Sequence, residues 1–368
     1  MQSQAAVLWG VGEKWTIEPV SLAEPRLDEV LVKLVATGLC HSDDHAVTGD
    51  MPFGYPIIGG HEGAGVVEAV GEGVTAVSPG DHVVLAFNPP CGRCRYCARG
   101  QSNLCALAVP ERPAEPQPSP FQVRDQEVAA MGGLGTFSQH TVVKEGCVIR
   151  IDDDIPLEAA SLLGCAVTTG WGAAVYLAEV RPGDTVVVIG TGGVGINSVQ
   201  GARIAGADII VAVDTNEFKR EQALRFGATH TAVSLDEARE LIAGLTKGRM
   251  ADAVILSVGV GSGDVIGPML STIGLAGRAV ITSVTPFAAS TIKLNLFGFT
   301  MAQQTLRGNV YGGVNVHRDV PLLLDLYRRK KLMLDELVTA RYALKDINAG
   351  YADMHAGKNL RGVVLFDS

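Results

Sequence analysis

The hydrophobic pattern predicts a chain of two lobes, the first mostly antiparallel β and the second a parallel, doubly wound α/β sheet. Three observations carry that prediction. Up to about residue 150, short β-branched runs such as EVLVKLVATG, GAGVVEAVG and DHVVLAF are separated by Gly, Pro and Asp, the pattern of antiparallel strands. From about residue 167, apolar strands alternate with amphipathic helical segments: TVVVIG, INSVQGARIAGA, IIVAVD, EFKREQALRFGA, ADAVILSVG and RAVITSV. The length, 368 residues at 47% hydrophobic and 19% charged, is enough for two cores.

Composition narrows the function classes. The net charge of −9 is not offset by any basic run, which argues against nucleic acid and acidic membranes as partners. There is no Arg-rich or apolar leader and no apolar run near the ~18 residues of a membrane span, so a soluble, cytoplasmic protein with reduced thiols is expected. The proline-rich VPERPAEPQPSP, from Val109 to Pro120, reads as a solvated loop.

Within the first lobe, CGRCRYCARGQSNLC places four of the seven cysteines between Cys91 and Cys105. An odd cysteine total fits a disulfide framework poorly. The spacing of Cys91, Cys94, Cys97 and Cys105 suits a tetrahedral ion with soft ligands, so structural zinc is favoured over disulfides or an iron-sulfur cluster. Four thiolates leave no open coordination position, so this lobe should hold structure and do no chemistry.

The second lobe carries a dinucleotide fingerprint. The predicted strand Thr185 to Ile189 runs into Gly190, Gly192, Gly193, Val194 and Gly195, a helix opens after them, and Asp214 ends the next strand. Gly190 permits the tight turn, Gly192 lets backbone approach a pyrophosphate, and Gly195 lets helix and strand pack closely. Phosphate then meets the free amides of the helix N-terminus. Asp214 can accept hydrogen bonds from both ribose hydroxyls and would repel a 2′-phosphate, which favours NAD over NADP. An NAD enzyme that oxidises an alcohol must lower the pKa of its hydroxyl before hydride can leave; a zinc ion with an open position does this as a Lewis acid, and the unspent Cys40-His-Ser-Asp-Asp-His45, Gly60-His61-Glu62 and Gly164-Cys165 segments offer ligands.

With GLCHSDDH, GGHEGAG, GDHVV, the four-cysteine lobe, GCAVTTGWGA, GTGGVG and NLRGVVLF in this order, the chain resembles the zinc-dependent medium-chain alcohol dehydrogenases over essentially its whole length. It is similar to their class I and class III branches, and more closely to a bacterial nicotinoprotein, NDMA-dependent group whose members often hold the cofactor tightly and pass electrons to another acceptor. The resemblance implies a GroES-like catalytic domain over residues 1–166 and 311–368, and a Rossmann cofactor domain over 167–310. It implies two zinc ions per chain, and a catalytic one held by Cys40, His61 and Cys165, with Asp43 orienting His61 and Glu62 close behind the metal. Ser42 would hydrogen-bond the substrate hydroxyl, with a helix N-cap as its bland alternative, and His45 would be the terminal base of the proton relay. His41, Thr169, Lys219 and Arg361 match cofactor-contacting positions, although Lys219 reads equally well as a solvated helix lysine.

Phe87, Met131 and Gly132 should line the substrate channel, and the missing side chain at Gly132 hints at a wider pocket for medium-sized apolar or aromatic primary alcohols. The alternatives are a nicotinoprotein handing electrons to a separate carrier, a glutathione-dependent formaldehyde dehydrogenase for which Arg112 is the candidate carboxylate grip, or a non-catalytic NAD-binding member. A homo-oligomer, dimer or tetramer, is expected, with the strand near Val280 to Val284 able to pair across a twofold axis. His82, His140, His230, His317 and His355 match no ligand motif and read as surface or turn residues, and Cys147 reads as a small buried hydrophobe.

Overall fold

The computed structural model describes residues 1–106, 118–289 and 291–367, so Arg112 and most of the proline-rich segment lie outside the described residues. Ten strands come first: β1 (Gln2–Leu8), β2 (Thr16–Leu22), β3 (Glu29–Gly38), β4 (Ile57–Ile58), β5 (Gly63–Val70), β6 (His82–Leu85), β7 (Phe121–Val123), β8 (Gln126–Ala130), β9 (His140–Lys144) and β10 (Val148–Ile151). Six follow, β11 (Thr185–Ile189), β12 (Ile209–Val213), β13 (His230–Ala232), β14 (Ala251–Leu256), β15 (Ile273–Ile281) and β16 (Thr305–Gly308). The last two are β17 (Val338–Ala343) and β18 (Arg361–Leu365).

These strands sort into two compact units, Met1–Cys165 with Asn315–Ser368, and Ala166–Val314. In the first unit, β1, β2, β7, β8 and β4 close into a barrel, while β10, β6, β5, β3, β18 and β17, with β9 on β3, make a seven-stranded sheet. Pairing there is antiparallel except for β4 with β8 and β17 with β18. The barrel encloses Leu8, Ile58, Phe121 and Phe137, and a second cluster of Val32, Leu34, Val67, Val83 and Leu85 packs against the sheet.

The second unit is a six-stranded sheet in the order β13, β12, β11, β14, β15, β16, parallel throughout. All five residues of β11 are buried, which is why TVVVI reads as a continuous apolar run without alternation. One expectation is corrected here. Val280 and Ile281 pair with Ile255 and Leu256 on one side and with Arg307 and Gly308 on the other, so β16 and not the Val280 region is the edge of the sheet. His82, His140 and His230 start strands and are half-buried, whereas His317 and His355 are exposed. Among the described residues, no single helix is long and apolar enough to cross a membrane.

Candidate active site

Three separate segments of the first unit deliver one cluster. Strand β3 ends just before Cys40, which keeps extended backbone (φ −127°, ψ 151°) as the N-cap of helix α1 (His41–Thr48). His61 and Glu62 sit between β4 and β5, entered through Gly60 at φ 87°. That glycine is obligatory, because a Cβ there would also stand 2.5 Å from Thr136 Oγ1. Cys165 follows a single helical turn, Leu162–Gly164. One ligand atom from each of Cys40, His61, Glu62 and Cys165 lies within 4.8 Å of the others, and all four residues are buried. Two thiols, an imidazole and a carboxylate at this spacing suit a divalent ion of intermediate softness.

The electrostatics are those of a site that wants a cation. The hydrogen bond from Cys165 holds the Cys40 thiol well below its ordinary value despite burial, and the same contact pushes Cys165 well above its own. Burial works to lower the His61 pKa, but the Asp43 carboxylate raises it well above the usual imidazole range. Asp43 is fully buried; its Oδ1 accepts from the Gly60 N–H at 2.7 Å and meets His61 Nδ1 at 3.2 Å. Among the described residues, His61 Nε2 is buried with no hydrogen-bond partner, the orphan expected of a nitrogen reserved for a metal. Burial pushes Glu62 up to about 7 even though Arg361 opposes it. Arg361 donates both to Glu62 Oε2 and, at 2.9 Å, to the Leu39 carbonyl. The structure therefore places Arg361, a candidate pyrophosphate contact, in a buried pair with Glu62.

Helix α1 carries the relay candidates. Ser42 lies inside its first turn, with Oγ 3.6 Å from Cys40 Sγ. The N-cap position belongs to Cys40, so the capping alternative for Ser42 does not hold. His45 is buried in the last turn, and its Nδ1 meets Asp50 Oδ2 at 3.1 Å. The His41 ring lies 6.4 Å from that of His355, whose Nε2 in turn meets Asp44 Oδ2 at 2.8 Å. Sequence reasoning missed Asp50, Asp44 and His355. The signal that was available for Asp50 is Gly49, a left-handed helix end that folds the next residue back onto the last turn.

Cys91, Cys94, Cys97 and Cys105 also gather their sulfurs within 4.8 Å. Backbone amides point at these sulfurs: Cys91 N–H to Cys105 Sγ at 3.2 Å, Cys94 N–H to Cys91 Sγ at 3.3 Å and Cys97 N–H to Cys94 Sγ at 3.5 Å. The Cys97 amide and then the Ala106 amide hold the Cys94 thiol down to about 6, while burial pushes Cys97 up to about 12. Such amide-to-sulfur bonds stabilise thiolates, so the donor set fits a closed tetrathiolate ion.

In the second unit, the loop after β11 has the form of a phosphate cradle. Gly190 turns at φ 79°, and a Cβ there would stand 2.9 Å from the Ser257 carbonyl carbon. A Cβ on Gly195 would collide with the Gly190 carbonyl, whereas a Cβ on Gly192 would meet nothing nearer than Lys219 Nζ at 3.9 Å, so backbone faces open space there. Gly192 is the N-cap of helix Gly193–Ala205 and supplies no side-chain cap; Gly193 and Val194 open the helix. At the end of β12, Asp214 Oδ2 accepts the Thr191 N–H at 2.8 Å and Oδ1 accepts the Asn216 N–H at 2.9 Å. A carboxylate fastened this way still has lone pairs for ribose hydroxyls. Lys219 is half-buried in the first turn of helix Glu217–Phe226, and Thr169 is buried in helix Ala166–Gly172.

Of the residues expected to line a substrate channel, Phe87 and Gly132 lie against His61. The Phe87 ring packs edge-on against His61, with centroids 5.6 Å apart. Met131 is buried in the barrel core. Gly132 has φ 59°, and a Cβ on it would stand 2.8 Å from Phe87 Cβ. Backbone conformation and the nearness of Phe87 are by themselves a reason for glycine at this position.

Comparison with known proteins agrees with this geometry. Residues 26–153 match the model of the alcohol dehydrogenase GroES-like domain, and residues 193–329 match that of the zinc-binding dehydrogenases. The chain is 45% identical to alcohol dehydrogenase B of Mycobacterium tuberculosis, over 100% of this chain and 99% of that protein. It is 46% identical to the NDMA-dependent alcohol dehydrogenase of Amycolatopsis methanolica, over 99% of each. The crystal structure of benzyl alcohol dehydrogenase from Acinetobacter calcoaceticus superposes with a TM-score of 0.90 at 28% identity, covering 100% of both chains.

Proposed function

The chain belongs to the zinc-dependent medium-chain alcohol dehydrogenase family, and from that premise we propose how its residues divide the work. It is a zinc- and NAD-dependent oxidoreductase that interconverts alcohols and aldehydes. The observation that carries the proposal is the buried convergence of Cys40, His61 and Cys165, three segments far apart in sequence, beside Glu62. When bound, zinc supplies a Lewis acid that eases ionisation of the alcohol, and NAD supplies the hydride acceptor.

The protein's own contributions follow from placement. Cys40, His61 and Cys165 hold the catalytic ion, and Asp43 fixes the His61 ring through Nδ1. Glu62 offers a fourth donor atom in reach, a carboxylate oxygen, restrained by Arg361. Ser42 and His45 pass on the hydroxyl proton, and Phe87 gives the site an apolar wall that excludes water. Cys91, Cys94, Cys97 and Cys105 hold the second, structural ion. Gly190, Gly192, Gly195 and Asp214 bind the pyrophosphate and adenosine ribose of NAD.

The substrates are medium-sized apolar or aromatic primary alcohols, a reading supported by the likeness to a benzyl alcohol dehydrogenase. The identity to an NDMA-dependent enzyme favours a second reading, in which NAD stays bound and electrons leave to a separate carrier. The enzyme self-associates through the second unit, where Leu275, Phe287, Leu296, Phe297 and Met301 are exposed, an apolar set that a second copy would cover. Two thiolate metal sites also suit the reducing cytoplasm.

Purified protein mixed with apolar alcohols and excess NAD, followed by nicotinamide absorbance, tests these readings. Sustained turnover supports the exchangeable-cofactor enzyme. A burst of about one equivalent per chain supports the bound-cofactor form. Silence from zinc-loaded protein with every alcohol would overturn the assignment of substrate class.

A further inference from the structure

Helix α1 stops at Thr48 because Gly49 turns left-handed, φ 76°, with its N–H on the His45 carbonyl at 3.1 Å. A side chain at position 49 is excluded twice, by that φ and by Val11, whose Cγ1 would lie 2.9 Å from a Cβ. The reversal brings Asp50 back over the last helical turn. Its Oδ2 accepts the Thr48 hydroxyl at 2.6 Å and stands 3.1 Å from His45 Nδ1. Those two hydrogen bonds, Thr48 first and then His45, hold the Asp50 carboxyl below its ordinary value.

An ionised carboxylate can only accept, so the hydrogen of the neutral His45 ring must sit on Nδ1 and the lone pair on Nε2. The ring is 2% exposed, and Nε2 is buried without a hydrogen-bond partner among the described residues. We infer that Asp50 is a positioning residue, holding His45 in the Nδ1–H tautomer and one orientation so that Nε2 is the nitrogen that takes up the substrate's proton. The inference rests on the reading of His45 as the terminal base of the relay. In that step the hydroxyl proton ends on Nε2, the ring becomes an imidazolium facing the Asp50 charge, and loss of the proton to water restores it. Asp43, within helix α1 itself, meets His61 Nδ1 in a similar way at 3.2 Å.

The test is nitrogen-15 NMR of histidine-labelled, zinc-loaded full-length protein, with the His45 signals assigned from a His45→Gln variant. At a pH where the ring is neutral, wild type should show Nδ1 bearing hydrogen and Nε2 free, and Asp50→Ala should shift the ring to a mixture or to the Nε2–H form. Asp50→Asn keeps a carbonyl acceptor and should retain more of the wild-type tautomer. Turnover should fall roughly ten-fold in kcat for Asp50→Ala, with KM little changed. A wild-type ring already in the Nε2–H form, or an Asp50→Ala spectrum identical to wild type, overturns the inference. Should Asp50→Ala fail to fold, the wild-type and Asp50→Asn spectra decide it. The predicted tautomers with undiminished turnover in both His45→Gln and Asp50→Ala would overturn the base reading and leave the hold of Asp50 on the ring standing.

Discussion

The two cysteine-bearing clusters solve the same problem in opposite ways. Cys91, Cys94, Cys97 and Cys105 come from one short stretch, three of them are partly exposed, and their sulfurs are prepared by amides of the same loop. Cys40, His61, Glu62 and Cys165 come from three stretches and are wholly buried, and they are prepared by side chains, Asp43 and Arg361, from elsewhere in the unit. A local site can form as soon as its loop closes around an ion. A dispersed site exists only once the sheet and barrel around it are complete, so its charges are as costly as any in a core. The difference teaches which cluster should serve structure and which chemistry.

Replacing Cys40 by Ser should sharpen the contrast most. It should cut turnover by roughly a thousand-fold, since loss of a Lewis acid removes several kcal/mol of transition-state stabilisation and each 1.36 kcal/mol is about a decade in rate. Circular dichroism should stay that of wild type, and a collapse of the fold instead would break the comparison. Cys105→Ala should do the reverse, with a loss of more than about 4 kcal/mol in denaturant unfolding but near-normal kcat per folded molecule. Arg361→Met probes what holds the buried cluster. Glu62 would lose the partner that opposes its burial, and stability should fall by about 3–5 kcal/mol. Retention of full stability would show that the Glu62–Arg361 pair is not what keeps that cluster assembled.

The smallest effect concerns Cys147, which belongs to neither cluster. Burial pushes its thiol up to about 12, so the folded state keeps it protonated. Its contribution to stability is therefore full below the unfolded thiol value, about 8.5, and is lost as pH rises from there toward about 12. Alkylation at pH 8 should leave Cys147 unmodified until the protein is unfolded.

Much of this architecture was legible in the sequence, and the parts that were not have physical causes. The parallel sheet was legible because β11, β12 and β14 are buried on both faces and read as unbroken apolar runs. The four-cysteine lobe was legible because its spacing is local. Cys40, His61 and Cys165 became a set only through resemblance, since nothing in spacing links positions so far apart. The Glu62–Arg361 pair, 299 residues apart, left no local trace. The left-handed turn at Gly132 against Phe87 was not legible, because in sequence a missing side chain looks the same whether it leaves a void or relieves such a turn. The Val280 region looked like a free edge because the short β16 that covers it, TLRG, carries little apolar signal.

Metal content measured on purified, dialysed wild type and Cys40→Ala tests the central claim most directly. Two zinc ions per chain in wild type, and one in a folded Cys40→Ala protein that no longer oxidises alcohols, is the predicted result. A single ion in active wild type, or unchanged turnover in the variant, would contradict the division into a structural and a catalytic site.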